Sequence, residues 1–398
     1  MQKRLVHATP VVIDPTIVHS PYLGGSGNAL LRRMTVKTTL AIVLFSTLAG
    51  SANVAEAVCT GTSVSAFGAK GDGQTDDTAA IQSAINAAAS AGGGSVVFNV
   101  ARYFTTGSFV VPAGVVLCGS IEGPFDVSAV NPALVAVAPT LLITNTSAPF
   151  ITLQGLGAGV TDLLFHYPNQ VKTTASAPNV YPYTIVAASP GTKVVRSLVT
   201  NAYNFLDIES GRVIAQDLFI GAFNIGVNID HAHDHVTLRN LLHSVYWDIA
   251  ENVPFLTPID AWVVSHGIAL VVNRVDGLEV HDFTVLLRFA GILLTDSPDT
   301  TQNPRCGFGT GSDIDLDGMQ NGIIVAASNS PGYEFTNLVV TPTSGSGQAV
   351  VQFRAGGSIP PAVLVNGGSE VGSWALGPFP APAAGHLTVV NIIGFNLP

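Results

Sequence analysis

Two short stretches, FLDIE (205–209) and GVNID (226–230), place carboxylates and an amide at alternate positions between apolar residues. In an extended strand successive side chains point to opposite faces. Leu206, Ile208, Val227 and Ile229 therefore share a buried face, and Asp207, Glu209, Asn228 and Asp230 share the outward one. Alternate residues of a strand lie about 6.6–6.8 Å apart, and neighbouring strands about 4.8 Å apart. Two carboxyls at such separations suit the cleavage of a glycosidic bond, one donating a proton to the leaving oxygen and the other activating water. Crowding also raises the pKa of one of them, which keeps an acid beside a base. Asp207, Glu209 and Asp230 are the acid/base candidates on this ground, with Asn228 as a hydrogen-bonding neighbour.

Further candidates lie in HSVYWDIAENVPFLTPIDAWVVSH (243–266), a segment too long for a turn. Aromatic faces beside acids offer a sugar ring an apolar platform and hydrogen-bond acceptors. Tyr246, Trp247, Asp260 and Trp262 are binding candidates, and Asp248, Glu251 and His266 are reserve catalytic groups. A second long insertion, FHYPNQVKTTASAPNVYPYT (165–184), belongs on a neighbouring edge. Asp313, Asp315 and Asp317 in GSDIDLDG form an outward acid row of the kind calcium takes. Arg196, Gln216, Arg239 and His281 fall in one outward register, read as a polar ladder. In NIDHAHDHVTLRN (228–240), His231, His233 and His235 would share a face only on a continuous strand. The pattern reads instead as a strand end, a turn at HAHD and a new strand, so no metal ligands are assigned.

The elements that must carry these residues repeat along the chain. One unit alternates apolar residues and then presents Asn or Asp before another apolar residue: RVIAQDLF (212–219), HVTLRNLL (235–242), GLEVHDFT (277–284), YEFTNLVV (333–340) and HLTVVNII (386–393). A second unit, Gly followed by alternating apolar positions, recurs as GVNID, GIALV (267–271), GILLT (291–295) and GIIVA (322–326). Short strands at intervals near twenty residues, turning at Gly, Asn and Asp, are the pattern of a solenoid. The fold expected is all-β, a single-stranded right-handed parallel β-helix with an N-terminal capping helix. The cap is TDDTAAIQSAINAAAS (75–90), within a helix placed at 75–91. Its apolar stripe is Ile81, Ala84, Ile85 and Ala88, Thr75 or Asp76 is the N-cap, and Gly92 to Gly94 stop it.

The stretch VSAFGAKGDGQTDDTAAIQSAINAAASAGGGSVVFNVARYF resembles the N-terminal cap and first rung of the pectate lyase superfamily. It is similar in particular to the rhamnogalacturonase/epimerase-like branch related to family 28 glycoside hydrolases. The resemblance is specific over 64–120 and implies a β-helix whose first sheet holds a glycan on its outward face. Gly68, Gly71, Asp72, Gly73 and Asp77 of the cap motif shape a turn and a helix start. The catalytic motifs of family 28 do not carry over. Where the family has Asn-Thr-Asp-Gly this chain reads Asn224-Ile225-Gly226, without an acid. Ser265-His266-Gly267-Ile268-Ala269-Leu270 stands where an Asp pair is usual, and no Arg-Ile-Lys follows.

Composition narrows the partners. The chain has 398 residues, 41 Gly, 24 Pro and only 11% charged residues. Residues 34–57, MTVKTTLAIVLFSTLAGSANVAEA, read as a secretory signal with a basic residue, an apolar run and an Ala-Glu-Ala cleavage site. Residues 1–33 are an upstream extension or a mis-assigned start, and 58–398 form one domain. The expected location is periplasmic or extracellular. Net charge is −10, and −13 once the five basic and two acidic residues of 1–57 are set aside. That surface argues against nucleic acid and, after signal cleavage, against a membrane. One disulfide is expected among Cys59, Cys118 and Cys306, in any of its three pairings. The expectation is an exported enzyme that hydrolyses a polysaccharide or oligosaccharide without a cofactor. Alternatives are a polysaccharide lyase, which would need calcium and a basic residue, and a non-catalytic glycan-binding or surface structural protein.

Overall fold

The computed structural model describes residues 59–121, 138–170, 177–245, 258–301, 305–329, 331–343, 349–354, 362–371 and 386–395. Every strand pairing among the described residues is parallel, so each strand meets its neighbour one coil later rather than across a hairpin. Three ladders run along the solenoid. The first takes Phe109–Pro112, Ile151–Gln154 and Tyr183–Ala187, then residues 204–208, 225–229, 268–272, 290–294, 321–325 and 349–353. A second runs through 193–195, 213–216, 236–239, 278–281, 309–312 and 333–336. The third runs through 164–166, 198–199, 218–220, 241–243, 283–285, 314–316 and 338–340.

The Asn/Asp punctuation of the repeats is the corner between the second and third ladders. Asp162, Arg196, Asp217, Asn240, Asp282, Asp313 and Asn337 all have φ between 43° and 60°. Left-handed backbone is accessible to Asn and Asp because their short polar side chains bond locally. The amides also tie one rung to the next: Asn240 donates to Asp217 at 2.8 Å, and Asn337 to Asp313 at 3.0 Å. Arg196 belongs to this corner and not to the outward row expected for it. Val195 fills that row beside Gln216, Arg239 and His281. Arg196 instead forms a two-nitrogen ion pair with buried Asp162, at 2.7 and 2.8 Å.

The recurrent Gly of the second unit also has a cause. Gly226, Ala269, Gly291 and Gly322 share one axial row. A Cβ at Gly226 would stand 2.1 Å from the His243 ring, and at Gly291 2.7 Å from Leu316. Small residues there let the first ladder close on the interior side chains of the third.

The helix α1, Thr78–Ser90, packs Ile81, Ala84, Ile85 and Ala88 against the first rung. It starts three residues later than expected, because Asp72–Asp76 is an extended strand pairing with the strand Arg102–Thr105. Asp76 still accepts from the Thr78 N–H at 3.0 Å, while Asp77 turns back to the N–H groups of Lys70 and Gly71. Cys59 and Cys118 form the disulfide, and Cys306 is a buried free thiol.

One interior position breaks the apolar rule. His243 lies in the row of Ile220, Val285 and Leu316, fully buried and edge-on to Phe283 at 5.2 Å. Neither ring nitrogen has a hydrogen-bond partner among the described residues. Burial, with the nearby Arg288 charge, holds its pKa well below 6.5. The unfolded chain therefore binds a proton that the folded chain rejects, and stability falls as pH drops through about 6.5. His243→Leu removes the unsatisfied ring. The expected result is a gain of about 1–3 kcal/mol in denaturant unfolding at pH 6, shrinking as the pH rises.

Candidate functional site

The first ladder delivers the expected alternation. Leu206, Ile208, Val227 and Ile229 are fully buried in the core. Asp207 and Asn228 sit side by side on the outward face, in an axial row that continues as Val271, Leu293 and Ile324. Asn228 donates its amide to Asp207 at 2.7 Å, and its carbonyl accepts from Asn273 at 2.8 Å. The carboxyl is thus held in one orientation by a chain of two amides. Its pKa is pushed up to about 6. Desolvation is the largest cause; the Asn228 hydrogen bond opposes it, and the charges of Glu209 and Asp230 add to it.

Glu209 follows the strand end, is exposed, and takes its place through its backbone N–H on Ala187. Tyr183, on the preceding rung, is close enough that Asp207 and Glu209 both raise its pKa, after burial. Tyr183 was not among the candidates taken from sequence; only its position in an alternating strand after a long insertion could have signalled it.

Asp230 corrects the expected picture. It occupies the register position next to Glu209, its N–H donating to Ile208, but it is only 6% exposed. One carboxylate oxygen accepts from Ser297 at 2.8 Å, and the other from the His231 N–H at 2.8 Å. A turn from a later rung covers it, so it braces the end of the strand and does not face an open groove. The three histidines diverge as the strand–turn–strand reading requires. His231, at φ 53°, bonds Asp299 at 3.0 Å, and His235 meets Glu279 at 2.9 Å. Among the described residues, one trio brings His, Cys or carboxylate ligand atoms within 4.8 Å of one another: Cys59, Cys118 and Asp162. Its two cysteines are the disulfide. Asp313, Asp315 and Asp317 point outward as expected, with Ile314 and Leu316 buried between them. Burial and the Asp317 charge raise the Asp315 pKa.

The second half of the 243–266 insertion is a helix. Tyr246, Trp247, Asp248 and Glu251 lie outside the described residues. The helix α2, Pro258–His266, opens on Pro, which is preorganised for a first helical position. It packs Ile259 and Val263 on Phe223 and Val245. Asp260 is 3% exposed, which corrects its reading as a sugar ligand. Beneath lies Arg288, 1% exposed, donating to the carbonyls of Ala222 and Phe223. Burial lowers its pKa to about 9, and the Asp260 charge opposes that. Trp262 and His266 face outward from α2, their rings stacked at 4.5 Å. Tyr203 tilts toward Trp262 at 6.2 Å. His266 bonds locally to Ser265 and the Trp262 carbonyl, so it sits on a rim and not in the carboxyl row.

A coil whose strands pair in parallel with the coil before and after is a parallel β-helix, and part of it resembles a known family. Residues 61–244 match the family described as Rhamnogalacturonase A/epimerase, pectate lyase-like. The A-module of a mannuronan C-5 epimerase from Azotobacter vinelandii superposes with a TM-score of 0.45 at 15% identity, over 83% of this chain and 95% of that one. A hyperthermoactive exopolygalacturonase from Thermotoga maritima gives 0.45 at 11% identity, over 78% and 81%. An alginate lyase of Azotobacter vinelandii is 61% identical over 41 residues, 10% of this chain and 5% of that protein. The aligned part is therefore a small fraction of that relative's length.

Proposed function

We propose that the protein is an exported enzyme that hydrolyses glycosidic bonds of a polysaccharide, with Asp207 as general acid and Glu209 as base. The observation that carries the reading is Asp207 itself: an outward carboxyl, oriented by Asn228, whose pKa is pushed up to about 6 beside a second carboxylate. A group of that pKa keeps its proton in mildly acid solution and can donate it to a leaving oxygen. Residues i and i+2 of a strand stand about 6.6–6.8 Å apart. That lies within the separation of roughly 6.5–9.5 Å that leaves room for a water and inverts the anomeric centre. The match to a family described by a rhamnogalacturonase supports a glycan as the partner. Export through a leader at 34–57 belongs to the same proposal.

The lyase alternative requires a Lys or Arg to take a proton, and the rungs around Asp207 offer none: residues 183–187, 204–208, 225–229 and 268–272 contain no basic residue, and Arg354, after the rung at 349–353, donates to Gln352. The test is the protein with a panel of soluble glycans, following reducing ends and ultraviolet absorbance together. Reducing ends without absorbance are expected. Unsaturated, absorbing products would establish a lyase instead, and binding without any product a non-catalytic protein.

A further inference from the structure

Beside the carboxyls runs an aromatic edge that the acid/base pair does not use. Tyr183 aligns with Asn204, the neighbour of Tyr203. Tyr203 in turn leans toward Trp262, and His266 covers one face of that indole. Tyr203 and Trp262 thus stand together on the side where the chain enters the first ladder, while Tyr183 lies a rung earlier in register with Asn204. Tyr203 lies on the same strand as Asp207, four residues before it, so the edge and the acid are fixed to one element.

The mounting of Trp262 is unusual for a surface aromatic. A nine-residue helix carries it; Ile259 and Val263 pack that helix on Phe223 and Val245, with Trp262 against the same cluster, and the buried Asp260 charge acts on Arg288 beneath. Burying an arginine is expensive unless its charge and donors are met, and here the Asp260 charge and the carbonyls of Ala222 and Phe223 offset part of that cost. A rigid aromatic face loses little entropy when a ring is laid on it. Phenol and indole rings also combine an apolar face with a polar tip, which suits a surface that is apolar on its C–H side and hydroxylated at its rim.

The charges select among such surfaces. Asp207 and Glu209 lie next to the edge, whereas Arg354, which extends the rung at 349–353, stands at the far end of the described ladder and donates to Gln352. Arg288 and Arg274 are internal: Arg288 as above, and Arg274, 7% exposed, bonding Asp276 through two nitrogens. A glycan carrying a carboxylate on every ring would meet like charge from Asp207 and Glu209 here, with no cationic side chain on the adjoining described rungs 183–187, 204–208, 225–229 and 268–272.

We infer that Tyr203 and Trp262 form a binding track for an uncharged glycan beside Asp207. The inference rests on the reading of Asp207 and Glu209 as the reacting centre, and names the substrate class of that site. Two independent measurements test it on the full chain, one of binding and one of turnover. Binding is followed by affinity electrophoresis and by quenching of tryptophan fluorescence with soluble xylan, galactomannan, β-glucan, polygalacturonate and alginate. The wild type should bind at least one of the three neutral glycans, with little change between low and high salt, and neither polyuronate. Trp262→Ala should weaken that binding about tenfold, and Trp262→Phe should restore most of it. Because Trp262 is half-buried, each variant is checked by its melting temperature. His266→Ala, which removes the ring stacked on the Trp262 indole and its bonds at the exposed helix end, should weaken binding with little change in melting temperature. Preference for a polyuronate, binding of no glycan in the panel, or unchanged affinity in a folded Trp262→Ala would each overturn the track. Asp207→Asn separates the two claims: if it keeps full turnover while Trp262→Ala loses binding, the acid assignment fails and the track stands.

Discussion

Asp207→Asn should abolish turnover and, in the same protein, raise the melting temperature at neutral pH. The activity side follows from the role of a general acid, which contributes about 10²–10⁴ in rate; an amide of the same shape has no proton to give. Binding of the glycan should be retained, because the substitution leaves the Tyr203–Trp262 edge and the Asn228 backbone in place. The stability side follows from linkage. The Asp207 pKa rises from 3.8 to about 6 on folding, so the folded state holds the proton more tightly than the unfolded one. The charged form is disfavoured by burial, and stability therefore falls as pH rises from about 4 to about 6 and stays lowered above that. Each pKa unit corresponds to about 1.4 kcal/mol. With some solvent reaching the group, a gain on the order of 1–2 kcal/mol at pH 7 is expected on removing the charge. At pH 4 the gain should vanish. A carboxyl kept only for structure would give the opposite pair of results, lower stability and unchanged turnover. Glu209→Gln should lower turnover with no comparable gain, since Glu209 is exposed.

How much of this was legible in the sequence depends on the range of the interactions involved. Period-two alternation is local, and it correctly placed Leu206, Ile208, Val227 and Ile229 inside and Asp207 and Asn228 outside. The Asn/Asp marks at 217, 240, 282 and 337 are local too, since each residue meets the left-handed corner with its own side chain. Asp230 shows where alternation stops being informative. Its partner Ser297 lies 67 residues away on a later rung, and nothing near Asp230 announces that it will be covered. Arg196 was misplaced by one residue for a related reason: a corner changes the direction of the side chain without interrupting the apolar pattern. The helix α2 had a local signal in Pro258 and in Asp260 two residues on, hidden by reading the whole insertion as a loop. No signal in the segment 276–294 marked Arg288 as interior. Its burial is a property of α2 folding over it.

That dependence makes Arg288 the most sensitive position outside the reacting centre. Arg288→Met keeps the volume and removes the charge. It leaves the carbonyls of Ala222 and Phe223 without this donor and Asp260 without the cation beneath it. Removing one member of a buried charged set costs about 3–5 kcal/mol, because the remaining groups stay desolvated. Against a total stability of roughly 5–15 kcal/mol, that is a large fraction. The loss should be felt first at α2, whose attachment otherwise rests on a small apolar cluster of Phe223, Val245, Ile259 and Val263. Two measurements separate local from global damage: hydrogen exchange of the α2 amides, and denaturant unfolding of the whole chain. Faster exchange at α2 with a lowered unfolding midpoint is expected, together with loss of glycan binding through the displaced Trp262. Pairing Arg288→Met with Asp260→Leu should recover a large part of the loss, since the orphaned carboxylate is then gone as well, and the departure from additivity measures their coupling. If the double variant is as unstable as the sum of the two singles, Asp260 and Arg288 act independently. The arginine would then hold the two carbonyls alone, and α2 would keep its place by apolar packing.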